Sequence, residues 1–148
     1  METIVVGVDG SAGAASALEF AAAEAALRNA RLRVVSAWEI PAAAYGAGFA
    51  PSLDTETLEA FRVRAQQVAD DARATVKNLQ PSLDAEAVVV QGRPAEALLD
   101  EAANATLVVV GSRGLGGFKT LLLGSVSQQV VQHASCPVVV VRQAATTG

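Results

Sequence analysis

The chain is poor in the residues that most often carry chemistry. It has one cysteine, one histidine and one tryptophan in 148 residues. A lone thiol, Cys136, cannot close an internal disulfide. The single histidine, His133, has no cysteine or aspartate partner near it in sequence, which argues against a metal or catalytic set. Aromatic residues make up 4% of the chain and are scattered, so no base-stacking platform is present. Positive charge is short: 11 Lys and Arg face 15 Asp and Glu, giving a net charge of −4. With pI near 4.9 and no basic stripe, nucleic acid is excluded as the main partner. No apolar run is long enough to span a bilayer. The opening METIVVGVDG lacks the basic start and apolar region of an export signal. These absences predict a cytoplasmic protein with no membrane partner.

Apolar residues, by contrast, are plentiful. They account for 51% of the chain and charged residues for 18%, a balance that builds a core and opposes disorder. The length suits one domain, expected over residues 1–148. Strand and helix patterns alternate. Strands are predicted over 3–8, 31–38, 85–90, 107–110 and 138–141. Helices are predicted over 11–29, from about 53 to 80, 94–103 and 124–134. The long second helix carries an apolar stripe at Leu58, Phe61, Ala65, Val68, Ala72, Val76 and Leu79. Pro81 stops that helix, and Pro94 suits a first helical position. The strands are continuous apolar runs rather than alternating ones. That pattern, in βαβαβαβαβ order, predicts an α/β fold: a doubly wound parallel sheet with helices on both faces.

The densest signal is TLVVVGSRGLGGFKTLLLGSVS, residues 106–127. A buried strand leads into a glycine-rich loop and then a helix start. The glycines are spaced Gly111-x2-Gly114-x9-Gly124, with hydroxyls following at Ser125 and Ser127. Glycines let main-chain amides approach a phosphate, and the positive end of a helix adds attraction. No Gly-Lys-Ser/Thr closes the loop, so it is not a P-loop, and the glycines stand too far apart for the dinucleotide fingerprint.

In a doubly wound sheet, ligands bind at the carboxyl ends of strands where the order reverses. The first strand ends at Asp9, the second near Ala37 and the fourth at Gly111. If these ends converge, Asp9 can accept from a base or ribose hydroxyl, or hold a metal through water. Gly111 and Gly114 can lie against sugar and phosphate. Gly124, Ser125, Val126 and Ser127 offer the first amides of a helix. Arg113 and Lys119 can lend positive charge. Blander roles stand beside these. Asp9-Gly10-Ser11 also reads as a turn and cap, Ser125 as an N-cap, and the two cations as solvated loop charges. The small-residue segment 39–52, with Pro41, Gly46, Gly48 and Pro51, is long enough for a lid over the site.

Three segments together resemble the universal stress protein family: VGVDGS, QGRPAEALL and VVVGSRGLGGFKTLLLGSVSQQVVQHASCPVVVV. The resemblance covers essentially the whole chain. The glycine spacing matches the signature of that family's ATP-binding branch. It implies a five-stranded parallel sheet in the order 3-2-1-4-5, Rossmann-like and akin to the adenine nucleotide hydrolases. It further implies ATP as ligand, with Mg2+ or Mn2+. Asp9 and the backbone near Ala37 would meet adenine, and Gly111 with its neighbours the ribose. Gly114, Gly124, Ser125, Val126 and Ser127 would cradle the phosphates. It also implies a homodimer pairing last strands antiparallel, from Pro137 to Arg142.

Three functions follow as expectations. The first is a regulatory ATP-binding stress-response protein acting as a homodimer. The second is a slow ATPase or phosphotransferase at the same site, for which no Walker lysine and no His-Asp-Ser set is present. The third is a dimeric scaffold that binds nothing.

Overall fold

The structure is a computed structural model that describes residues 1–40, 54–113 and 123–143. Its elements, in chain order, are β1 (Thr3–Val8), α1 (Ala12–Arg28), β2 (Arg31–Trp38), α2 (Thr55–Leu79), β3 (Ala85–Gln91), α3 (Pro94–Glu101), β4 (Leu107–Gly111), α4 (Ser125–His133) and β5 (Val138–Val141). The strands form one parallel sheet in the order β3-β2-β1-β4-β5. β1 and β4 are therefore central neighbours, and the winding reverses between them.

Side-chain alternation along each strand divides the core in two. Ile4, Val6, Leu32, Val34, Leu107 and Val109 pack with Leu18, Ala21 and Ala25 of α1 and with Ala72 and Val76 of α2. Val5, Val35, Val108 and Val110 point the other way, onto Ala95, Leu98 and Val130 from α3 and α4. Both faces are buried, which is why the strands read as unbroken apolar runs. Alanines keep α1 close to the sheet: Ala17, Ala21 and Ala25 are fully buried at helical spacing.

Helix ends follow local chemistry. Ser11 caps α1 by accepting from the Ala14 amide at 3.2 Å, and Asn29 closes it in the left-handed region at φ 53°. Asp54 caps α2 by accepting from the Thr57 amide at 2.8 Å. Pro94 opens α3 within its first turn. The α2 stripe is shifted from the expected one. Ala65, Ala69, Ala72 and Val76 are the buried positions, while Leu79 in the last turn is 47% exposed.

Candidate functional site

Register places three strand ends side by side. Val8 of β1 pairs with Ser36 of β2, so the next residues, Asp9 and Ala37, lie level with one another. Val6 pairs with Val109 of β4, which sets Gly111 level with Val8. Asp9, Ala37 and Gly111 thus share the carboxyl edge of the sheet at the point where the winding reverses, the crevice expected of an open α/β sheet.

Asp9 is half-buried, and its Oδ1 accepts from the Ser11 amide at 2.9 Å. This contact and the φ of +86° at Gly10 form the turn into α1. The turn-and-cap chemistry expected of Asp9-Gly10-Ser11 is present, and it orients the carboxyl group at the strand end. Ala37 is also half-buried, and its side chain packs with the α3 and α4 layer.

The exit of β4 is tied to the start of α4. The Gly124 amide donates to the Ser112 carbonyl at 2.6 Å. The Ser127 hydroxyl, 2% exposed, lies 3.0 Å from the carbonyls of both Ser112 and Gly124 and shares its one proton between them. Gly124, rather than Ser125, is the N-cap residue. Its own amide is paired, so the amides that helix geometry leaves open are those of Ser125, Val126 and Ser127. The next amide, that of Gln128, bonds back to the Gly124 carbonyl at 3.0 Å. Ser125 is exposed, Val126 half-buried and Ser127 buried, so the opening turn slopes from solvent into the fold.

Backbone packing at the crevice is very tight. A Cβ on Gly111 would lie 2.8 Å from the carbonyl oxygen of Gly13, and a Cβ on Gly13 would lie 2.4 Å from that of Arg113. Arg113 itself is half-buried. Gly114, Lys119 and the 39–52 segment beyond residue 40 lie outside the described residues. Two residues of the site escaped the sequence reading. Gly13 left one trace, a lone glycine inside an alanine-rich helix, which marks close packing. Ser112 left none, because its part is played by a main-chain carbonyl.

The remaining polar residues sit elsewhere. His133 is exposed in the last turn of α4, where a cation suits the helix dipole. Burial raises the Cys136 thiol above its ordinary range, so the neutral form dominates at pH 7. Asp70 and Asp71 are both exposed on α2. Among the described residues, no group of three or more His, Cys, Asp or Glu side chains is placed to hold a metal ion. Nor is any helix among them long and apolar enough to cross a membrane.

Comparison with known proteins agrees with this architecture. The universal stress protein family profile matches residues 1–142. The chain belongs to the universal stress protein family. A universal stress protein from Thermus aquaticus is 41% identical over 143 residues, covering 95% of this chain and 98% of that protein. Against universal stress proteins of Mycobacterium tuberculosis, the chain spans 46% of their length. Among solved structures, universal stress protein UspA from Lactobacillus plantarum superposes with a TM-score of 0.79 at 26% identity, covering 95% of this chain and 97% of that one. A universal stress protein in complex with cAMP superposes with a TM-score of 0.70 at 29% identity, covering 97% and 98%.

Proposed function

We propose that this universal stress protein is a regulatory ATP-binding protein that acts as a homodimer in the cytoplasm. The observation that carries this is the alignment of the β1, β2 and β4 ends at the reversal of the winding, with the first turn of α4 bonded to the exit of β4. Adenine would lie by Asp9 and the Ala37 backbone, and ribose by Gly111, with Arg113 lending positive charge to the phosphates. The phosphates would meet the amides of Ser125, Val126 and Ser127, where partial positive charge and unpaired donors coincide. The Gly111-x2-Gly114-x9-Gly124 spacing and the cAMP complex of a relative support an adenine nucleotide. A Mg2+ or Mn2+ ion would arrive on the phosphates.

The dimer reading is supported by the contrast between the two sheet edges. β3 presents Glu86, held by Arg33 at 2.7 Å, and ends in Gln91. β5 presents four consecutive valines, all only half-buried, and no charge. An apolar, uncharged edge invites pairing with another strand. Antiparallel pairing from Pro137 to Arg142 would cover it.

Calorimetric titration with ATP, AMP, cAMP and GTP tests the ligand. ATP is expected to bind and GTP to bind much more weakly. Free ATP at about 100 times its Kd should stabilise the fold by about 2.7 kcal/mol. Gly114→Ala is expected to abolish ATP binding while leaving the Tm of the free protein nearly unchanged. No heat with any nucleotide would leave only the scaffold function, and rapid phosphate release would make the protein an enzyme.

A further inference from the structure

Gly13 is the second residue of α1 and is buried. Only Gly10 and Gly92 among the described glycines have positive φ, so Gly13 has backbone that any residue adopts. Glycine is a poor helix former, and its presence here needs another cause. Space supplies it. The position a Cβ would take is 2.4 Å from the Arg113 carbonyl oxygen. The contact is reciprocal, since a Cβ on Gly111 would stand 2.8 Å from the Gly13 carbonyl oxygen and 2.9 Å from its carbon. Main chain faces main chain on both sides, and no flexible side chain can swing away. The link continues, because the Ser112 carbonyl between these two contacts holds the Gly124 amide at 2.6 Å and the Ser127 hydroxyl at 3.0 Å.

We propose that Gly13 is a positioning residue for nucleotide binding: by admitting the Arg113 carbonyl against the first turn of α1, it sets the path of residues 111–113 and, through Ser112, the placement of the amides that open α4. The role rests on the nucleotide reading above and adds a residue that touches no nucleotide in that reading. Its specific consequence falls on the phosphates. A shifted Ser112 carbonyl turns the α4 amides away from the phosphate chain and leaves the adenine side, at Asp9 and Ala37, in place. Gly13→Ala therefore erodes the preference for ATP over AMP more than it erodes AMP binding.

The test uses the full chain as wild type, Gly13→Ala and a stability control, Val76→Ala, which trims a fully buried side chain near the end of α2. Amide resonances of the free proteins and calorimetric affinities for ATP and AMP are measured. Gly13→Ala is expected to shift the amides of Ser112, Arg113, Gly124 and Ser127. It should weaken ATP by about tenfold to a hundredfold, the scale of losing one hydrogen bond to a charged group. AMP affinity should change far less. Val76→Ala should lower the Tm with the ATP-to-AMP ratio unchanged. Shifts confined to α1, or an ATP-to-AMP ratio equal to wild type, overturn the proposal while wild-type binding keeps the nucleotide reading intact. A wild-type chain that binds neither nucleotide overturns both. Should Gly13→Ala fail to fold, Ser127→Ala probes the same link from its other end. It is expected to shift the Gly13 and Ala14 amides, and silence at those amides overturns the coupling.

Discussion

Gly7 lies in the central strand, and a Cβ there would stand 2.7 Å from Cδ1 of Leu98. Leu98 is 4% exposed and has little room to turn. Gly7→Ala should therefore overpack the α3 layer and destabilise the fold by about 1–3 kcal/mol. Urea unfolding measures this, and adding Leu98→Ala should recover part of what Gly7→Ala loses on that background. Ser36 offers a second case. It is 2% exposed, and its hydroxyl donates to the Ala65 carbonyl at 2.9 Å, fastening β2 to the middle of α2. Ser36→Ala should cost about 1 kcal/mol. Residues of this sort were hardest to read from sequence. A small polar side chain in a strand and a main-chain carbonyl beside a glycine leave no periodicity. Asp9, Ala37 and Gly111 were legible because each ends a strand pattern, and strand ends are where an α/β sheet gathers its ligands.

At the scale of elements, hydrophobic period and capping chemistry gave nearly all the boundaries. β1, β2 and β5 begin and end at the expected residues. Ser11 and Asn29, expected as the ends of the first helix, are its two caps. The inward face of α2 was harder, because alanines at 65, 69 and 72 carry the contact and the larger Leu58 and Phe61 are only half-buried. Close helix–sheet packing selects small residues that a hydrophobicity pattern undervalues. Asn29→Ala removes a residue suited to the left-handed conformation and should cost about 1 kcal/mol, read from the Tm. Asp54 is held below the usual carboxylate range by its bonds to Thr57. Its ionised form is favoured by folding, so the cap is fully effective above the carboxylate's unfolded value and lost as pH falls through the lowered one. Protection of the amides at residues 55–57, taken relative to their intrinsic exchange rate at each pH, should fall in acid, and Asp54→Asn, which caps without titrating, should remove that dependence. Unchanged protection of the native chain at low pH would show that the cap does not hold this turn.

The whole molecule is asymmetric about its centre. One edge of the sheet is guarded by charge at Glu86, and the other offers the bare valines of β5. A lysine or glutamate at Val139 or Val140 should give monomers by light scattering, and an undisturbed dimer would refute pairing through that strand. Across the sheet, right-handed crossovers and continuous apolar strands leave few topologies, and the observed order β3-β2-β1-β4-β5, the one the family resemblance implied, carries the crevice with it. The sequence could not announce that Ser112, Gly124 and Ser127 are bonded to one another, because that tie joins residues brought together only when β4 and α4 pack. The central claim is that this junction, beside Asp9 and Gly111, receives an adenine nucleotide. An amide-resolved titration of the full chain with ATP tests it most directly. The largest shifts are expected at Ser125, Val126 and Ser127, with Asp9 and Gly111 next and the middle of α2 unmoved. Saturating ATP that leaves those amides in place, or moves a different face of the sheet, contradicts it.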